Sequence, residues 1–123
     1  MRKIYTTGGW LHYPPLEFYY MQGEINVEPV QFVLPKTREE VDLTALSYQI
    51  KAVSEEYGTE AAWILPKRTS EEHILLDWEI TREFTLMPGR VMLTLTGTDT
   101  KNNVVAKWTG NPAIIRKDPQ GTQ

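Results

Sequence analysis

The sequence predicts an all-β domain, an antiparallel sandwich or barrel of about eight strands. Three observations predict it. Apolar and polar residues alternate at a period of two in successive runs, the spacing of a half-buried pleated strand. Turn residues separate these runs at intervals of about 8–15 residues, with eight Gly and eight Pro to supply them. Only two short stretches, Lys36–Val41 and Ser54–Gly58, compete for helix.

In chain order, the first strand signals are Leu16–Gln22 and Val27–Leu34, the second closed by Pro35. Pro29 inside that run predicts an edge strand or a bulge, because proline cannot donate to a ladder. Thr37 followed three residues later by Glu40 is a weak capping box, enough for one helical turn. Leu46 to Val53 alternates, with Leu46, Tyr48, Ile50 and Ala52 inward. After the turn ending in Gly58, Thr59–Leu65 is a strand closed by Pro66. Ile74, Leu76, Trp78 and Ile80 then share one face, with Asp77 and Glu79 on the other. Val91, Leu93 and Leu95 make the inner face of the clearest run, Arg90–Thr98. The polar cluster Asp99–Asn103 turns the chain into Val104–Trp108 as an antiparallel hairpin. Ala113–Lys117 is the last strand. The predicted core is therefore Tyr48, Ile50, Trp63, Ile74, Leu76, Trp78, Ile80, Val91, Leu93 and Leu95.

Composition narrows function. At 123 residues the chain suits one domain, large enough for its own core. Thirteen Lys and Arg against sixteen Asp and Glu leave a net charge of −3. That balance lacks the basic stripe of a nucleic-acid binder. Apolar runs of about five residues fall far short of a membrane span, so no membrane partner is expected. Without cysteine there is no disulfide framework, thiolate metal site or Cys nucleophile.

No constellation reads as an active site, so no enzyme activity, cofactor or metal is expected. His12 and His73 lack a second ligand at a chelating spacing. Asp77 and Glu79, about 7 Å apart on one strand face, have the residue types of a glycosidase pair. The wet face of any antiparallel strand gives the same pattern, and that is the expectation here. Asp99–Asn103 has oxygen ligands, but Lys101 and the lack of a bidentate Glu make it a hairpin turn rather than a calcium loop.

Aromatic residues carry the functional signal. Thirteen are present, and Trp10, Tyr13, Tyr19 and Tyr20 gather near the N-terminus around Pro14-Pro15. These four are the candidate interface or ligand-stacking residues, since exposed rings stack on sugars or anchor protein interfaces.

From about Glu24 to Lys117 the sequence resembles the immunoglobulin-like domain at the N-terminus of phage baseplate upper proteins and related prophage tail proteins of Gram-positive bacteria. The resemblance lies in Val41-Asp42-Leu43-Thr44 entering Tyr48-Gln49-Ile50, and in Trp78-Glu79-Ile80-Thr81 with Phe84-Thr85. It continues through Pro88-Gly89, the strand Val91–Thr98, Val104-Val105-Ala106-Lys107-Trp108 and the closing Ala113–Lys117. It implies an immunoglobulin-like antiparallel sandwich over residues 24–117, preceded by an aromatic arm over 1–23 and followed by a polar tail over 118–123. It further implies a virion structural protein of the tail or baseplate, assembled in the bacterial cytoplasm. Its expected partners are copies of itself and other tail proteins. A carbohydrate-binding sandwich recognising a host surface glycan is the alternative. For assembly the Trp10–Tyr20 segment and an edge strand near Val27–Leu34 are the expected contact elements; for glycan binding the expected platforms are Trp10, Tyr13, Tyr19 or Tyr20.

Overall fold

The computed structural model describes residues 2–12, 19–25, 27–87 and 89–116. Most of it is strand, in thirteen short segments rather than about eight. They are β1 (Arg2–Thr7), β2 (Trp10–His12), β3 (Tyr19–Met21), β4 (Val30–Pro35), β5 (Thr37–Arg38), β6 (Val41–Asp42) and β7 (Ser47–Ser54). After them come β8 (Glu60–Leu65), β9 (Lys67–Thr69), β10 (His73–Trp78), β11 (Gly89–Thr98), β12 (Val104–Thr109) and β13 (Ala113–Arg116). One 3-10 turn, Leu43–Ala45, and one α-helical turn, α1 (Arg82–Thr85), complete the described elements.

Eleven strands join into one mixed ladder with two halves. In one half β7 lies between β8 and β11, and β11 pairs along its other side with β12 and then β13, which carries β3. The other half runs β2-β1-β4-β10-β9. A single bridge, Thr109 beside Trp10, links them, closed by the Thr109 N–H donating to Gly9 O at 3.0 Å. The inner faces of both halves feed one apolar core, which makes the domain sandwich-like.

The alternation places the core as expected. Tyr48, Ile50, Ile74, Leu76, Trp78, Ile80, Val91, Leu93 and Leu95 are all buried, and Trp63 is partly buried against them. Trp78 is the hub. Its ring centroid lies 5.0 Å from Phe84, 5.5 Å from Trp63 and 6.2 Å from Phe32. Edge and tilted ring pairs of this kind contribute about 0.5–1.5 kcal/mol each beyond their burial. The buried Tyr48 hydroxyl donates to Leu43 O at 2.7 Å, and burial pushes its pKa above the ordinary tyrosine value.

Three expectations give way. The first concerns the described residues before Glu24, which are not a separate arm: Ile4, Leu11 and Tyr20 are core residues. Each of the three parallel pairings among the described residues involves one of these early strands: β1 on β4, β2 on β12 and β3 on β13. The sandwich is mainly antiparallel, as expected, but mixed, because β1–β3 thread into both halves. The second concerns Val27–Leu34, where β4 is a central strand between β1 and β10, not an edge. Pro29 precedes the ladder, so its missing N–H costs nothing, and its carbonyl accepts from Arg2 N at 3.0 Å. The third concerns Lys36–Val41, which forms the β5–β6 hairpin instead of a helical turn. Glu39 and Glu40 form its two-residue loop, both at positive φ (51° and 70°). The twist of a hairpin favours that loop geometry, and it overrides the weak cap signal.

Candidate functional site

The outer face of the β2-β1-β4-β10-β9 half combines exposed rings with polar groups. Strand alternation builds it. Ile4 faces the core, so Tyr5 and Thr7 face out. The β1–β2 register sets Tyr5 opposite His12 and Thr7 opposite Trp10. Gly8 makes this reversal possible, with a left-handed φ of 59°. Across the sheet the row continues from His12 through Tyr5, Val33 and Leu75 to Arg68.

Trp10 is 60% exposed and Tyr5 52% exposed, as diagonal neighbours on this face. A polar row lies beside them: Lys3, Gln31 and Asp77. Gln31 Nε2 donates to Asp77 Oδ1 at 2.9 Å, and Arg68 Nε donates to Asp77 Oδ2 at 3.1 Å. The Arg68 guanidinium, helped by Gln31, holds the Asp77 carboxyl below the usual carboxylate range. Asp77 is thus a fixed anion tied to the sheet, while Glu79 stands exposed past the end of β10. The arrangement offers flat ring faces flanked by hydrogen-bonding groups, which suits stacking and contact.

The four aromatic residues singled out from the sequence do not converge. Trp10 lies on the exposed face just described. Tyr13 lies outside the described residues. Tyr19 is in β3, its backbone beside Ile114 of β13 in the other half. Tyr20 is corrected from a surface ring to a core ring: it is 6% exposed and meets Phe84 edge-on at 5.8 Å. Burial pushes its hydroxyl up to about 12. The residue that sequence reasoning missed is Tyr5. The alternation Arg2-Lys3-Ile4-Tyr5-Thr6-Thr7, followed by Gly8-Gly9 and Trp10, was the signal that pairs it with the tryptophan side.

A concave feature opens where the two halves part. β10 pairs with β4 through Trp78 but with β9 only over Ile74–Leu76. Beyond Lys67 the chain turns at Pro66 and crosses to the other half as β8. The fork left between β8 and the end of β10 is a groove of about 470 Å³. Trp63 and Trp78 line it, with Ile64, Pro66, Glu79 and Thr81 among its other walls.

The remaining candidates have structural employment. In the loop after β11, Asp99 Oδ1 accepts from the N–H groups of Lys101 (2.8 Å) and Asn103 (2.9 Å), as a hairpin turn requires. These bonds, that of Asn103 foremost, lower the Asp99 pKa. Arg38 of the β5–β6 hairpin lies over the Trp108 ring, 5.5 Å from its centroid. Among the described residues no group of three His, Cys, Asp or Glu is placed to hold a metal ion, and no helix is long and apolar enough to cross a membrane. No protein-family model matches the chain, and no curated protein does either.

Proposed function

We propose that the chain is a non-catalytic structural protein of a phage or prophage tail tip or baseplate, acting through protein–protein assembly. Its partners on this reading are copies of itself and neighbouring tail proteins in the virion. The observation that carries it is the placement of Trp10 and Tyr5, each more than half exposed and diagonal to one another on the outer face of the β1–β2 pair. Large rings held rigidly by a sheet are the side chains that anchor interfaces. Leaving them in water favours association. The sequence resemblance described above supplies the setting, and a rigid sandwich suits a part that must keep its shape in a ring.

Glycan binding is the second reading, and one observation favours it. The exposed Trp10 ring is flanked by Thr7 and His12 on the same face, and a sugar needs a ring to stack on and polar groups beside it.

Sedimentation velocity of the full chain, wild type and Trp10→Ala, separates the two. Point substitution is required, because deleting the first fifteen residues would remove β1 and with it Ile4 from the core. Assembly predicts a concentration-dependent oligomer of closed symmetry that Trp10→Ala weakens while the circular dichroism spectrum stays that of a β protein. A monomer at all concentrations whose tryptophan fluorescence responds to host cell-wall glycan would overturn assembly and establish the second reading.

A further inference from the structure

The groove at the fork has properties that the Trp10 face lacks. Along one wall runs β8, which among the described residues pairs only with β7, leaving its other backbone edge open. Natural edges are normally blunted with charge, proline or a bulge. The neighbouring edge strand β9 follows that rule, with Lys67, Arg68 and Thr69 all exposed. β8 does not. From Ala61 to Leu65 it holds no charge, and Ile64 is 83% exposed at the groove wall. Opposite, the last residues of β10 extend past the end of β9, so a second backbone edge flanks the same groove. Its volume falls within the roughly 300–1,000 Å³ typical of sites that take a discrete ligand.

We propose that this groove is a strand-acceptor site: it takes an extended segment of a partner protein as an added strand on β8, with an apolar side chain over Trp63 and a lysine or arginine beside Glu79. Main-chain bonds to the open edge would supply affinity, and alternate side chains entering the groove would supply selectivity. Charge selects the occupant. The charged residues lining the groove are Asp77 and Glu79, and Arg68 already matches Asp77. That leaves Glu79 to be met by a cation. A second copy's β8, Glu60–Leu65, contains no basic residue and brings none. This inference goes beyond the assembly reading and does not rest on it: Asp77 borders both surfaces, but neither Trp10 nor Tyr5 lines the groove.

The test titrates the ¹⁵N-labelled full chain with a capped heptapeptide alternating valine and threonine between terminal lysines, and with its glutamate-ended counterpart. The expected result is a saturable shift of the β8 amides and the Trp63 indole with the lysine peptide. Glu79→Lys, at an exposed position, should weaken that peptide roughly five- to tenfold and improve the glutamate peptide. No saturable shift at β8 overturns the proposal. So does equal binding of both peptides that Glu79→Lys leaves unchanged. Shifts of β8 that follow protein concentration alone would make the occupant a second copy, and shifts produced by oligosaccharide instead would make it a glycan; either result overturns the proposal. None of these outcomes bears on the sedimentation behaviour of Trp10→Ala.

Discussion

Gly97 lies directly opposite Tyr48 in the β7–β11 ladder, and the tyrosine ring covers the space a side chain at 97 would fill. A Cβ there would come within 2.9 Å of both Tyr48 Cε1 and Leu46 Cδ1. Both neighbours are buried, so neither can swing away freely. Gly97→Ala should therefore destabilise the domain by about 1–3 kcal/mol, the usual cost of overpacking. Urea unfolding measures it, and an unchanged midpoint would show that the Tyr48 ring yields without cost.

The β5–β6 turn stores strain of a different kind. Glu39 and Glu40 both occupy the left-handed region, where a residue with a Cβ costs about 1–2 kcal/mol. The double substitution Glu39→Asn with Glu40→Gly puts the favoured asparagine–glycine pair into the same hairpin geometry. It should stabilise the protein by about 1–2 kcal/mol. A fall in melting temperature would mean that the glutamate side chains make contacts worth more than the strain.

Asp77 gives the domain an acid sensitivity with a definite sign. Its native pKa is depressed, chiefly by the hydrogen bond from Arg68. The associated stability is present at neutral pH, begins to fall as pH drops through the ordinary carboxylate range near about 4, and is gone below the lowered native value. Asp77→Asn should be less stable than wild type at pH 7, and the gap should close in acid. Denaturant titrations at neutral and acid pH check this. A gap independent of pH would mean that Asp77 contributes by packing alone.

The sequence made faces legible, but not neighbours. Alternation assigned the inward sides of Tyr48–Ala52, Ile74–Ile80 and Val91–Leu95, because burying one face imposes a period of two whichever strand lies alongside. It could not say that β4 runs between β1 and β10, since a proline near the start of an apolar run has the same signature at an edge and just ahead of a central strand. Tyr20 was misread for a related reason. Its neighbours Phe18, Tyr19 and Met21 are all large and largely apolar, so no period of two marks an inner side, and the docking of β3 onto β13 accompanies its contact with Phe84.

The candidate site was legible in one residue. Trp10 follows a glycine pair and could be expected to stand clear, whereas its companion Tyr5 depended on a two-residue reversal whose register no composition rule specifies. The groove beside β8 was not legible at all. It arises because the chain changes from one half of the sandwich to the other at Pro66, and the sequence shows only that a strand ends there.

The parallel pairings of β1, β2 and β3 also set the tempo of folding. Hairpins such as β11–β12 close between residues near in sequence, but Ile114 must find Tyr19, and Thr109 must find Trp10, across nearly the whole described chain. Loop-closure entropy has to be met before those contacts return anything, which places the domain among slow folders on the millisecond-to-second scale. During synthesis the strand position beside β3 stays vacant until Arg116 has left the ribosome, so Tyr20 waits in solvent for its partner strand. A nascent chain of this protein is therefore most exposed to mispairing just before β13 arrives, and chaperone demand should peak there.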